Sequence, residues 1–151
     1  MEYLPHIEIF LRALRINRDR LASKSKIAVD AKVLRHLLQS LAEAAPFSSE
    51  FYMRNNPDIA EAHACGQIKD LRAHFIQQGY FEGRSGAGLT VNEDFYTSTY
   101  PDVADAVKRG DVTSAGEHYL RSGAAEGRIP NALMKEEIEG WLSVLRDEVA
   151  R

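Results

Sequence analysis

Apolar residues recur every three or four positions in both terminal segments of the chain, the spacing that places them on one face of an α-helix. The N-terminal segment carries two such stripes, separated by the polar run at residues 22–26. We read this pattern as a helical hairpin, although one long helix with an exposed middle fits it as well. The stripes consist of Leu4, Ile7, Leu11, Leu14 and Leu21, and of Val33, Leu34, Leu37, Leu38 and Leu41.

A third apolar stripe lies in the C-terminal segment and predicts one amphipathic helix from about residue 132 to 150. Pro130 and Asn131 precede this stripe and mark its start. Because exposed apolar stripes are unfavourable in water, we expect all three to pack on each other, on the central segment or on a second chain. The C-terminal stripe consists of Ile138, Trp141, Leu142, Leu145 and Val149.

The central part of the chain contains one pattern twice. Residues 51–84 and 95–128 align without a gap at an offset of 44 residues, and 12 of the 34 paired positions are identical. A repeat of this length is typical of one supersecondary unit that has been copied. The predicted segments, which we expect to form one compact domain, are an N-terminal segment at 1–45, repeats at 46–89 and 90–130, and the C-terminal helix at 131–151.

Each repeat reads as three short helical pieces, and no alternating pattern of useful length predicts a strand. The predicted fold class is therefore all-α. Proline should end the first piece, because the residue before a proline disfavours α geometry. The predicted structural caps are Asp58 and Asp102 at the start of the second piece, Gly66 and Gly110 at its end, and Gly79 and Gly123 at the end of the third.

Composition narrows the functional classes. The single cysteine, Cys65, excludes an intramolecular disulfide and is typical of a reducing compartment. No signal peptide or apolar run of membrane-spanning length is present, so we expect a cytoplasmic protein without membrane insertion.

The net charge of −3 is distributed unevenly along the chain, with +3 over residues 1–45, −4 over 46–130 and −2 over 131–151. This asymmetry fits solvated helix faces and also a basic N-terminal segment that meets an acidic partner.

The residues shared by the repeats spell Phe-Tyr, Pro-Asp-Ile/Val-Ala-x-Ala, Gly, His-Phe/Tyr, Gly and Glu-Gly-Arg. This string resembles a short bacterial repeat of the form Y-x-x-x-N-P-D-V-A-x-A…H-Y-x-x-x-G-x-x-E-G-R, found with surface-layer and calcium-repeat secreted proteins and with glycosyltransferases. The resemblance covers residues 47–130 and implies an accessory module rather than a catalytic one. The second copy has Tyr100 where the first has Asn56, which argues against a shared role for the asparagine side chain.

The candidate chemistry of the repeats favours structural roles. His74 and His118 have no neighbouring histidine or cysteine at metal-ligand spacing, so we predict a hydrogen bond to a backbone carbonyl near the start of the second piece. Glu-Gly-Arg is predicted to form a turn in which Arg84 or Arg128 binds helix-end carbonyls or an acidic neighbour. No phosphate-binding loop, dinucleotide fingerprint or nucleophile elbow is present, and we predict neither catalytic residues nor a cofactor or metal site.

These patterns lead to a hypothesis of a non-enzymatic helical interaction protein, a scaffold or adaptor that binds a protein partner or a second copy of itself. One alternative is an accessory module for carbohydrate or cell-surface polysaccharide. The other is a small regulator that binds an acidic protein or, less in keeping with the charge, nucleic acid. The candidate interaction residues are Tyr52, Tyr96, His74, His118, Arg84, Arg128, Ile138, Trp141 and Leu145.

Overall fold

The computed structural model describes residues 4–23 and 25–145, and every regular element in these ranges is helical. The all-α prediction is confirmed. The chain divides into two compact units between Ala87 and Gly88, two residues before the predicted boundary between the repeats, whereas the sequence analysis expected one compact domain. No helix in the described ranges combines the length and the apolar character needed to cross a membrane.

Three helices form the N-terminal part of the first unit: α1 (Ile7–Leu14), α2 (Arg18–Ala22) and α3 (Ala31–Ala44). The chain leaves α1 through Arg15, whose φ of 55° is left-handed, and residues 25–30 are irregular. The alternative of one long helix is therefore wrong, and the segment contains three helices where the predicted hairpin has two. Helix α3 packs on the first repeat through Ala42, which lies in the core, and through Arg35, which donates to the carbonyl of Gln77 at 2.8 Å.

The two repeats have the same order of elements. The third piece of each begins as a short α-helix and continues directly into one π-helical turn, rather than remaining α-helical as predicted. Widened turns of this kind occur in short stretches, frequently where packing or function requires them. The first repeat contains α4 (Ser49–Asn55), α5 (Pro57–Ala64), α6 (Leu71–His74) and the π turn Phe75–Gly79. The second contains α7 (Glu93–Thr99), α8 (Pro101–Arg109), α9 (Ala115–His118) and the π turn Tyr119–Gly123.

Side-chain caps start the first helix of each repeat. The Ser48 hydroxyl accepts a hydrogen bond from the backbone N–H of Phe51 at 3.2 Å, and the Asn92 side chain accepts one from Phe95 at 2.8 Å. Such contacts satisfy N–H groups that the helix itself leaves unpaired.

The prediction that Asp58 and Asp102 are N-caps is wrong. Proline occupies the first position of α5 and of α8, so each aspartate is the second residue of its helix. The N-cap positions are Asn56 and Tyr100, and neither makes a side-chain cap hydrogen bond. Proline is favourable at that first position because its missing N–H would be unpaired there and its φ already suits a helix.

Two pairs of glycines provide left-handed turns. Gly66 and Gly110, which follow the second helix of each repeat, have φ angles of 74° and 79°. Gly83 and Gly127, within the Glu-Gly-Arg turns, have φ angles of 79° and 69°. A residue with a Cβ is strained in this region, so the turn out of each repeat depends on glycine.

Gly79 and Gly123 were predicted as caps of the third piece, and the structure assigns them another role. Each is the last residue of a π turn and is buried, and neither is among the residues of positive φ. A Cβ at these positions would lie 2.1 Å from the hydroxyl of Tyr52 and 2.2 Å from that of Tyr96. Glycine is needed here for the close approach of a tyrosine to the backbone.

Each repeat has its own small core, with a fully buried tyrosine in it. The core of the first repeat also includes Ala42 of α3, and the core of the second repeat consists only of residues from its own helices. The first core consists of Ala42, Tyr52, Ile59, Leu71 and Phe75, and the second of Tyr96, Val103, Ala115 and Tyr119.

The C-terminal helix starts as the sequence predicts and is described for part of its predicted length. The Asn131 side chain accepts a hydrogen bond from the N–H of Met134 at 3.1 Å and caps a 3-10 turn, Ala132–Met134. This turn leads into α10 (Lys135–Leu145). The remainder of the predicted helix, including Val149, lies outside the described residues.

Candidate functional site

The tyrosines proposed to contact a partner or a sugar are interior residues. Tyr52 and Tyr96 have no exposed surface, so neither ring can stack on a ligand in this structure. Phe51 and Phe95, the other members of the aromatic pairs, are half-buried. The expectation that Tyr52 and Tyr96 are interaction residues is therefore wrong.

The histidine that the two repeats share, His74 or His118, is hydrogen-bonded to the buried tyrosine of its repeat. Nδ1 of His74 lies 3.0 Å from the hydroxyl oxygen of Tyr52, and Nδ1 of His118 lies 3.1 Å from that of Tyr96. The predicted hydrogen bond from histidine to a backbone carbonyl is therefore replaced by one to a phenol 22 residues earlier in the chain. Buried hydroxyls need such a partner, because an unpaired one costs about 1–3 kcal/mol.

Burial also keeps these phenols neutral. It raises the pKa of Tyr96 to about 12 and raises the pKa of Tyr52 above its ordinary value of 10. Each hydroxyl therefore retains its proton over the physiological range. The neutral phenol and its hydrogen bond to the histidine therefore provide structural support within each repeat.

Arg84 joins the end of the first repeat to the start of its second helix. Its guanidinium donates to both carboxylate oxygens of Asp58, at 2.9 and 2.7 Å, and to Glu82 at 2.7 Å. The same group donates to the side-chain oxygen of Asn56 at 2.9 Å, while the Asn56 amide donates to the Tyr52 carbonyl at 2.7 Å. Of the two predicted kinds of partner, the acidic neighbour is the one observed.

Arg128 makes the equivalent contacts in the second repeat. It donates to both carboxylate oxygens of Asp102, at 2.9 and 2.7 Å, and to Glu126 at 2.5 Å. Tyr100 replaces the asparagine: the guanidinium lies 4.8 Å from its ring centre, and its hydroxyl accepts from the N–H of Ile129 at 2.8 Å. The position that differs between the copies thus supports the same arginine by an amide in one and by an aromatic ring in the other.

These ion pairs shift the titration of their members. The hydrogen bond from Arg128 holds the pKa of Asp102 below its ordinary value of 3.8, and Arg84 does the same to the pKa of Asp58. The arginine side chains are 20% and 23% exposed and the aspartates 62% and 60% exposed, so solvent screens each pair on its acidic side.

We expect replacement of Asp102 by asparagine to reduce the acid sensitivity of folding. A carboxylate whose pKa is lower in the folded state stabilises it above the ordinary pKa, and this contribution is lost as the pH falls through the folded value. Urea unfolding of wild type and Asp102→Asn should therefore differ at pH 6 and converge below about pH 4. Asp105→Asn, on an exposed face of the same helix, is the matched control. A constant difference at every pH would contradict the prediction.

The described residues contain no group of three or more His, Cys, Asp or Glu side chains placed to hold a metal ion. Every buried side-chain nitrogen and oxygen of the described residues has a hydrogen-bond partner. Cys65 is exposed, and its equivalent in the second repeat is Arg109.

The helices that precede the repeats carry part of the exposed apolar surface of the described residues. Leu34, Leu37 and Leu41 of α3 are 48%, 38% and 49% exposed. Their spacing of three and four residues places them on one face, and the face centred on Arg35 and Ala42 packs on the first repeat. Helix α3 therefore has a second apolar face with no cover among the described residues.

A groove between α1 and α3 continues this face. It has a volume of about 440 Å³ and is lined mainly by apolar side chains. Leu37 belongs both to the groove and to the exposed leucine row, so the two form one surface. We call it the N-terminal apolar surface; it consists of Pro5, Ile9, Phe10, Ala13, Val33, Leu34, Leu37 and Leu41, with Asp30, Lys32 and His36 at its edge.

Helix α10 carries the other apolar face. Trp141 and Leu145 are 49% and 71% exposed, Ile138 is half-buried, and no residue of α10 is buried. These three candidate interaction residues therefore present apolar surface to solvent, and the histidines and arginines of the repeats serve internal contacts.

Sequence reasoning did not assign Leu34, Leu37 and Leu41 as interaction residues, although it identified the stripe that contains them. The stripe is too wide for one contact, because Val33 and Leu38 lie about 140° apart around the helix. The width of the stripe was the signal in the sequence that some of its residues would remain available for a second contact.

The chain matches no protein-family model, no curated protein and no solved structure.

Proposed function

We propose that the chain is a non-enzymatic helical interaction protein, a scaffold or adaptor that binds a protein through its N-terminal apolar surface. In this proposal the repeats are a rigid support, held by the tyrosine–histidine and arginine–aspartate contacts. The helices outside the repeats carry the binding surface. A cytoplasmic location, suggested by the single cysteine, is part of the same proposal.

The observation that carries the proposal is the exposed leucine row of α3. Complete burial of one leucine side chain is worth about 1.5–3 kcal/mol, so covering three half-exposed ones releases several kcal/mol. Contiguous apolar patches on a protein surface typically mark a site of protein association. The carbohydrate alternative has lost its main residues, because Tyr52 and Tyr96 are enclosed.

Site-specific photocrosslinking in the cells that produce the protein tests this function. A photoreactive amino acid at Leu41 should form discrete protein adducts on illumination. The same amino acid at Leu120, an exposed leucine of the second repeat with 44% of its surface accessible, is the matched control and should form few. Equal yields at the two positions, or no adduct at Leu41, would overturn the proposed function.

A further inference from the structure

We propose that the occupant of the N-terminal apolar surface is helix α10 of a second copy of the chain. Two copies would then form a symmetric dimer by placing each α10 on the other's N-terminal apolar surface. This inference rests on the proposed function, which assigns that surface to protein binding, and it adds the identity of the partner.

The groove between α1 and α3 matches helix α10 in shape, and neither is covered by other described residues. The groove runs between α1 and α3 and has an apolar lining. Helix α10 presents Ile138, Trp141, Leu142 and Leu145 at the three- and four-residue spacing of a helix laid into a groove. At 1.5 Å per residue the eleven residues of α10 span about 16 Å, comparable to the fourteen residues of α3 at about 21 Å.

Trp141 is the expected anchor of this contact. It is the only tryptophan of the chain and is half exposed on a helix that buries none of its residues. Aromatic anchors that enter a pocket contribute most of the affinity in many interfaces. The groove volume of about 440 Å³ is within the range of sites that bind small molecules, so the groove has room for an indole ring.

The N-terminal apolar surface and α10 also carry complementary charge. Residues 1–45 carry a net charge of +3, and Lys32 lines the groove. Helix α10 has three glutamates and one lysine, so its net charge is −2. The one acidic side chain at the groove, Asp30, already accepts a hydrogen bond from the Lys32 backbone N–H as the cap of α3. The positive end of the α3 dipole therefore partly compensates the charge of Asp30.

One glutamate of α10 is suited to meet Lys32. At 100° per residue, Glu137 lies beside the apolar stripe on the Trp141 side, and Glu136 lies on the opposite face. Glu139 lies on the other flank, where its carboxylate is 3.9 Å from the Lys135 ammonium. The expected intermolecular pair is therefore Lys32 with Glu137.

The proposed assembly closes at two copies. Each copy provides one groove and one α10, so a reciprocal exchange covers both apolar faces of both copies at once. Such an arrangement has two-fold symmetry and ends at the dimer. If only one of the two contacts formed, one groove and one α10 would remain exposed, and further copies would add to form an open polymer.

Sedimentation equilibrium of the purified full chain tests the anchor. The wild type should be a reversible dimer, and Trp141→Ala should raise its dissociation constant about thirtyfold, the effect of losing a typical anchor residue. Leu133→Ala is the control for a general loss of apolar surface, because Leu133 is 93% exposed and precedes α10; it should leave the constant unchanged. A single-chain mass at every concentration, or equal effects of both variants, would overturn the inference.

Charge reversal tests the orientation. Lys32→Glu and Glu137→Lys should each raise the dissociation constant about threefold, and the double variant should restore much of the loss. Glu136→Lys is the control for Glu137→Lys. It makes the same charge change in the first turn of α10 but on the opposite face, so both variants affect the helix dipole alike. Failure of the double variant to recover, or an effect of Glu136→Lys as large as that of Glu137→Lys, would overturn this pairing.

Crosslinking of an equal mixture of isotopically labelled and unlabelled chains separates this inference from the function on which it rests. The photoreactive group at Leu41 should give mixed-label adducts with the peptide that contains Trp141. Adducts confined to single chains would overturn the dimer. Adducts in cells with other proteins, combined with a monomeric purified chain, would overturn the dimer while supporting the proposed function.

Discussion

Replacement of Gly79 by alanine should destabilise the protein by about 2–4 kcal/mol, a large fraction of the stability of a small domain. The added Cβ would lie 2.1 Å from the Tyr52 hydroxyl oxygen and 3.2 Å from the ring carbon that carries it. Tyr52 cannot move aside without cost, because it is fully buried and its hydroxyl is hydrogen-bonded to His74. The substitution must therefore shift the tyrosine ring or the π turn.

Urea unfolding at neutral pH measures this effect, and the chain offers a matched control. Gly140 also lies within a helix, but a Cβ there meets no atom within 4 Å. Gly140→Ala should therefore stabilise α10 by up to about 1 kcal/mol, the ordinary difference in helix propensity. If Gly79→Ala and Gly140→Ala changed the free energy of unfolding alike, the close approach of Tyr52 would not be what requires glycine.

The same result is expected in the second repeat. At Gly123 a Cβ would lie 2.2 Å from the Tyr96 hydroxyl, and the hydroxyl is bonded to His118. The two glycines are 44 residues apart in different compact units, so their effects should be similar and independent. The identical positions of the repeats thus include a four-part packing unit of tyrosine, histidine, glycine and the π turn between them.

Local features of the fold were accessible from the sequence. The order of the helices within the repeats, the break before Pro57 and the positive φ of Gly110 each depend on neighbours within a few residues. Proline geometry, capping side chains and glycine turns act over that range, so a single sequence contains the information. The all-α class followed from the apolar spacing for the same reason.

Features that join distant residues were not accessible in this way. Arg84 reaches Asp58 across 26 residues, and the sequence did not specify this contact as the partner of the aspartate. Gly79 resembled a helix end in the sequence, whereas its role depends on a tyrosine 27 positions away. The repeat shows that both copies keep these residues, but identity between copies does not reveal which ones touch.

The exposure of the apolar helices also depends on tertiary structure. The sequence predicted that the stripes pack somewhere, and it offered three alternatives. In the structure Leu11 of the first stripe is buried, while Leu34 and Leu41 of the second stripe are about half exposed, so the apolar residues are divided between internal packing and open surface. The proposed interaction follows from this division and not from the stripe alone.

Truncation of Tyr96 should have the largest effect of a single side chain in the second unit. Tyr96→Ala removes a fully buried ring that contacts Tyr100, Tyr119 and His118, and comparable aromatic truncations cost about 3–5 kcal/mol. Tyr96→Phe keeps the ring and removes only its hydroxyl. We expect it to cost about 1–2 kcal/mol, because Nδ1 of His118 loses its partner.

The pH dependence of the Tyr96→Phe effect distinguishes the buried hydroxyl from general packing. The pKa of Tyr96 is raised to about 12, so the folded state holds the phenol proton while the unfolded chain releases it near pH 10. A group whose pKa is higher in the folded state stabilises it fully below the unfolded value and loses this contribution as the pH rises toward the folded one. The stability difference between wild type and Tyr96→Phe should therefore shrink from pH 10 to pH 12. Tyr52 and Tyr119, whose pKa values burial also raises, are present in both proteins and cancel in this difference. A difference that stayed constant up to pH 12 would show that Tyr96 titrates alike in both states, and the enclosed tyrosine–histidine pair would then not be the support of the repeat.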